Sequence, residues 1–281
     1  MTNVNLYATL AEFKAFATAR GQTAGTDAAD DAVISDLIGS VSRYIESSAG
    51  AGRRFYPSIE TRLYDIPDGR KVDLHGDLLE VTSFLNGDTS AIDSTNYTLK
   101  TQGKTPYWQI ALRDVSTVGW RYTSAGSSEQ ALSLTGWWGF RRDYAQRGWS
   151  SAGTLGAAIT DTTTLAFTAS SGHTLAVGQI IKIGSEIYNI ATAVTNTITP
   201  VRRGDNGSTA ALHDNSTTIY VWNIQEDIHL AVLETVLGVN SMRHGQASSG
   251  KITVTAAGMV IRPEEIPPMA QKTFESYRDI T

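Results

Sequence analysis

"NIQEDIHLAVLETVLGVNSMRHG", residues 223–245, decides how this chain is organised. Ile224, Ile228, Ala231, Val232, Thr235, Val236 and Val239 recur at helical spacing. Leu230, Leu233 and Leu237 widen that stripe, so a helix buried on more than one side is expected. Asn223 with Glu226 three residues on has the form of a capping box. Arg243 and His244 complement the negative end of the helix dipole, and Gly245 is a stop. A helix with this much apolar surface needs partners, and the strongest helical patterns elsewhere lie at the other end of the chain.

Those patterns are "TLAEFKAFATARG" (9–21) and "TDAADDAVISDLIGSVSRYIESSAG" (26–50). In the first, Thr9 is a cap, and Leu10, Phe13, Phe16 and Ala17 share a face. In the second, Asp27, Asp30 and Asp31 suit the positive end of the dipole. Val33, Ile34, Leu37, Ile38, Val41, Tyr44 and Ile45 form a broad stripe, and Gly50 or Gly52 ends it. The final segment, "MAQKTFESYRDIT" behind Pro267-Pro268, puts Ala270, Phe274 and Tyr277 on one face and Lys272, Glu275, Arg278 and Asp279 on the other. It is too short to hold a helix alone in water, so it must dock on something. Upstream of it, "KITVT" (251–255) is strand-like.

Between the helical ends the period changes to two. "TRLYDI", "KVDLH", "LLEVTSFLN", "NYTLK", "YWQIALR" and "ALSLTGWWGF" read as six short strands of an antiparallel unit, with turns at "PDGR" and "NGD". "YAQRGWSSAGTLGAAITD" (144–161) is rich in Gly, Ser and Ala and reads as a boundary. A second β run follows, in which "QIIKIGSEIYNI" is a hairpin about Gly184-Ser185. The expected class is α+β: a helical hub of N- and C-terminal helices with an antiparallel β unit (1–150 and 223–281), and a separate inserted all-β domain (151–222).

The 281 residues are 41% hydrophobic and 18% charged, enough for a real core and too apolar for disorder. A net charge of -5 disfavours a broad grip on duplex nucleic acid. The absence of cysteine excludes disulfides and thiolate chemistry. No secretory signal or ~20-residue apolar span is legible, so an intracellular product with no membrane association is expected.

Chemistry is sparse. None of the five histidines is spaced as a zinc pair, and no nucleophile elbow, Walker loop or dinucleotide fingerprint occurs. No cofactor and no metal is expected. The basic pairs Arg53-Arg54, Arg141-Arg142 and Arg202-Arg203 stand near aromatic residues, a pattern shared by protein interfaces and single-strand binders. "VRRGDNGSTAALHD" (201–214) contains an adhesion tripeptide, Arg203-Gly204-Asp205, and a His213-Asp214 dipeptide. It also contains Asp205-Asn206-Gly207, a tight-turn sequence. A turn with His213 pinning the loop is the expected reading. The rival is a small hydrolase or lyase in which His173, His213 and Asp214 converge.

The order "YATLAEFKAF", "DDAVISDLIGSVSRYIESSAGAGRRFYP", "VDLHGDLLEVTSFLNGD…NYTLK", "LSLTGWWGF" and "IQEDIHLAVLETVLGVNSMRHG" resembles the head–tail connector (adaptor, or head-completion) proteins of tailed double-stranded DNA bacteriophages. The resemblance covers most of 7–140 and 223–281. Such proteins have a short link after their "WGF"; here about eighty residues intervene. Their "VGQIIKIGSEIYNI…NTITPVRRGDNGSTAALHD…IYVW" is similar to a small β module of phage tail and connector proteins.

The resemblance implies a non-enzymatic virion protein made in the host cytoplasm. It implies a ring of about twelve copies at the neck. The ring would dock on the portal protein, meet a stopper or tail-completion protein, and pass DNA through its lumen without sequence-specific binding. It further implies that the C-terminal segment grips the portal, with Met269, Phe274, Tyr277 and Arg278 as contacts. Packing of that segment on its own subunit is the alternative. A virion surface-binding role for the inserted β domain is a third reading.

Overall fold

A computed structural model describes residues 4–22, 27–101, 103–243, 253–254, 260–261 and 266–278, with the backbone alone at 242, 243, 253, 254, 260 and 261. Among these, the chain is α+β, with five helices and two large antiparallel sheets.

Helix α1 (Leu10–Ala19) begins at Thr9, whose hydroxyl accepts from the Glu12 amide while the Glu12 carboxylate accepts from the Thr9 amide, a complete capping box. Helix α2 (Ala28–Glu46) is capped by Asp27, whose carboxylate accepts from the Asp30 amide. Its buried line is Ile34, Ile38, Val41 and Ile45; Leu37 and Tyr44 are partly covered and Val33 is exposed, so the expected stripe is narrower than drawn. The helix ends at Glu46, ahead of either expected glycine. The following turn is closed by the Ala51 and Gly52 amides on the Ile45 carbonyl.

The first sheet comprises β1 (Ser58–Tyr64), β2 (Lys71–Leu85), β3 (Tyr97–Lys100), β4 (Tyr107–Leu112) and β5 (Leu132–Trp138), in the order β1-β5-β2-β4-β3. It has five strands, one fewer than expected, because "KVDLH" and "LLEVTSFLN" are one long strand. The register of β2 shifts between Asp73 and Leu78, where Gly76 takes φ +110°. That irregularity lets β2 pair with β4 on its first half and with β5 on its second without breaking.

The stretch 144–161, expected to be a boundary, contains regular structure. It holds one helical turn, α3 (Tyr144–Arg147), and strand β6 (Trp149–Thr154), which runs across the expected boundary at 150/151. The second sheet adds β7 (Phe167–Thr168), β8 (Ile180–Ile183), β9 (Glu186–Val194), β10 (Thr197–Pro200) and β11 (Thr218–Trp222), in the order β6-β11-β8-β9-β10-β7. The β8–β9 hairpin turns at Gly184, φ +58°, as the sequence required.

Helix α4 (Glu226–Arg243) buries Ile228, Ala231, Val232, Leu233, Thr235, Val236 and Leu237, more than one side, although Leu230, one of the residues expected to widen the stripe, is exposed. Asn223 is not its capping residue. Its side-chain NH2 donates to the Arg147 carbonyl and its side-chain oxygen accepts from Ser150, while Glu226 is drawn away to Arg141. His244, Gly245, the Arg243 side chain and Asp279 lie outside the described residues. Short strands β12 (Thr253–Val254) and β13 (Val260–Ile261) pair antiparallel, the first within the expected "KITVT". Helix α5 (Pro268–Tyr277) opens on a proline whose missing N–H costs nothing at that position.

Four apolar clusters hold these elements. One joins α1, α2, α4 and α5 through Phe13, Ile38, Val41, Ile228, Val232 and Phe274. One lies on the first sheet and one within the second. The fourth fills the seam between the sheets, with Leu79 and Trp137 on one side, Ile180, Ile187 and Trp222 on the other, and Tyr144 between. Among the described residues no helix is long and apolar enough to cross a membrane.

Candidate functional site

The loop after β10 is built around a charge that the β8–β9 hairpin buries. Glu186 opens β9 on a stretch where every residue through Ile190 is buried, on both faces of the strand, and its side chain has no solvent exposure. An isolated carboxylate there is prohibitively costly, so the loop supplies its partners. Arg203 grips it side-on, Nε to Oε1 at 2.8 Å and Nη2 to Oε2 at 3.0 Å. The Gly204 and Ala211 amides donate at 2.9 and 2.8 Å, and His213 Nε2 at 3.0 Å. Burial alone pushes the Glu186 carboxyl up, but these donors outweigh it and hold it down at about 2. Arg203 also donates to the Asp161 and Ala211 carbonyls.

One residue further on, Asp205 is fully buried and accepts from Asn189 Nδ2 and from Arg202 Nε. Asn206 and Gly207 both take positive φ, +49° and +78°, as a tight turn demands. The turn lies on the free edge of β1. The Ile59 amide donates to the Asn206 carbonyl at 2.8 Å. The Asn206 side chain exchanges hydrogen bonds with Asn5 and donates to the Pro57 carbonyl. A Cβ on Gly207 would sit 2.1 Å from the Ile59 carbonyl oxygen, so glycine is required by contact as well as by φ.

Asp205, Asn206, Gly207 and His213 therefore sit together in a latch between the sheets. The adhesion tripeptide is not presented to solvent: the Arg203 side chain is 5% exposed and that of Asp205 0%. Nor do His173, His213 and Asp214 converge. His213 faces Glu186, Asp214 points outward, and His173 bonds the Thr195 carbonyl. Among the described residues no three His, Asp or Glu side chains gather as a metal site.

The terminal contacts are divided. Phe274 and Tyr277 are 2% and 3% exposed, packed on Tyr44, Phe55 and Phe140 of their own chain, so neither ring is a free contact surface while α5 is docked. The Tyr277 hydroxyl donates to Asp227 at 2.6 Å, and its carbonyl accepts from Arg53 at 2.6 Å. This is the alternative arrangement, packing on its own subunit. Met269, 69% exposed, and Arg278 remain at the surface. Arg278 donates to the Ala49 and Gly50 carbonyls.

Sequence reasoning missed Glu186, whose one signal is a lone acid among isoleucines in "IIKIGSEIYNI". It also missed a cleft of about 560 Å³ between α1, β6 and α4, whose lining includes Glu12, Arg147, Trp149 and His229. There the Glu12 carboxylate stands 3.4 Å from His229 Nε2 while also capping α1. Compared with protein-family models, curated proteins and solved structures, the chain matches none.

Proposed function

We propose that this chain is a structural subunit of a tailed-phage neck: a ring adaptor beneath the portal that extends the DNA channel toward a stopper or tail-completion protein. The observation that carries the reading is the single apolar cluster drawing α1 and α2 from one end of the chain and α4 and α5 from the other. On this reading those helices and the first sheet are a hub of the adaptor kind, and the second sheet is an insertion between β5 and α4. A buried latch at the seam suits such a part, because a subunit bearing load in a ring gains from a fixed angle between its two sheets. Ring closure needs two different faces on each subunit. DNA passes through the lumen held weakly, given the net charge of -5.

Size-exclusion chromatography with light scattering, on the chain alone and mixed with its portal, tests this. A complex with the portal carrying about twelve copies is the expected result. A chain that never associates with the portal or with itself at any concentration overturns it.

A further inference from the structure

A groove of about 680 Å³ opens where the end of α5 meets the first sheet, between β4 and the segment after β5. Its floor is aromatic and its walls are basic. Phe140 and Tyr277 are buried beneath two guanidinium groups: Arg53 lies 5.2 Å from the Phe140 ring centroid, and Arg142 5.1 Å from that of Tyr277. Lys104 stands on the rim.

Most of the basic residues that stand in pairs in the sequence are neutralised inside the molecule. Arg54 pairs with Glu60, Arg141 with Glu226, Arg202 with Asp205 and Arg203 with Glu186. Within the groove Arg53 pairs with Asp77, and Lys104 with Asp143. Two charges are left over. Arg278 spends its donors on the neutral carbonyls of Ala49 and Gly50. The Arg142 guanidinium, exposed, has no hydrogen-bond or ion-pair partner among the described residues; the aromatic faces alone fix it. A guanidinium held by stacking keeps its five donors and is already immobilised, so little ordering entropy remains to be lost on binding.

We infer that this groove is a binding site for an acidic segment of a partner polypeptide, one carrying at least two carboxylates, read by Arg142 and Arg278 with Lys104 at the rim. Recognition of acidic segments by arginine clusters is a recurrent mode. The volume is that of a few side chains rather than of one ion. Trp108, 47% exposed on the same wall, gives an apolar contact beside the charges, as interface cores do. A nucleic-acid strand is less favoured because it needs successive free ring faces for its bases, and with Phe140 and Tyr277 under Arg53 and Arg142 the exposed Trp108 is left to offer one. The inference does not rest on the neck assignment, since it uses only this groove.

The test is fluorescence anisotropy with the full chain at about 50 mM salt, where exposed charges are weakly screened. The probes are a labelled hexaglutamate peptide and a labelled six-residue oligothymidylate, with inorganic phosphate as competitor. Saturable peptide binding is expected, falling with salt. Arg142→Gln should weaken it about tenfold, the worth of one charge-assisted contact. Lys104→Glu, which sets a second carboxylate beside Asp143 at the exposed rim, should weaken it at least as much. The inference fails if the peptide does not bind saturably, or if both variants bind it as the parent does. It fails equally if oligothymidylate binds more tightly than the peptide, or if millimolar phosphate displaces the peptide completely.

Discussion

Glu186 shows what a single side chain can demand of a loop. It accepts five hydrogen bonds, and all five donors come from four residues of the eleven from 203 to 213. Replacing it by glutamine keeps the shape but leaves Arg203 buried without a counter-charge. Glu186→Gln should therefore cost about 3–5 kcal/mol, read as a lowered urea midpoint. The acid response carries the same signature. Its folded carboxyl titrates at about 2 against an ordinary 4.5, so its stabilisation is fully present above the ordinary value. It is lost as the pH falls from 4.5 toward 2. Urea midpoints measured across that window should drop more steeply for the parent than for Glu186→Gln; parallel profiles would mean that the carboxylate is not held as described.

At the scale of elements, α5 is a docked helix whose apolar line enters the common core. Phe274→Ala removes a ring that is 2% exposed and should cost about 3–5 kcal/mol, with a clear drop in melting temperature. An unchanged melting temperature would show that the helix is not seated in solution. The helices were legible because a 3.6-residue apolar period survives in sequence whatever packs against it. Docking on the same chain was not, since a narrow stripe on ten residues fits any apolar surface equally. The register shift in β2 hid behind Gly76, which stands between two segments that read as separate strands but lies within one. Strand β6 hid in its small residues, because Ser150, Ser151 and Gly153 carry no strand signal until Trp149 and Ala152 find β11 beside them. The latch was half visible. Asn206-Gly207 announced a turn, whereas Glu186 and Ile59, which give the turn its purpose, stand far from it in sequence. The basic groove was invisible for a like reason: only the folded chain reveals which arginines have been neutralised.

For the whole molecule the seam is decisive. Trp222 lies buried with its indole N–H on the Phe55 carbonyl, Asn206 ties Asn5 and Pro57, and the apolar contact between the sheets is continuous. The two sheets should unfold together, as one calorimetric transition whose van't Hoff and calorimetric enthalpies agree; two resolved transitions would mean that the seam is only a surface contact. The helical cluster has a further consequence for biosynthesis. Helix α2 is complete at Glu46, yet the residues of α4 that cover its apolar line emerge from the ribosome about 190 residues later. At roughly 5–20 residues per second, that face waits on the order of 10–40 s for its partner. The nascent chain is thus expected to carry this apolar segment uncovered for that time, a natural target for a holdase chaperone, and chaperone depletion should lower its yield in a cell without changing the stability of the finished fold.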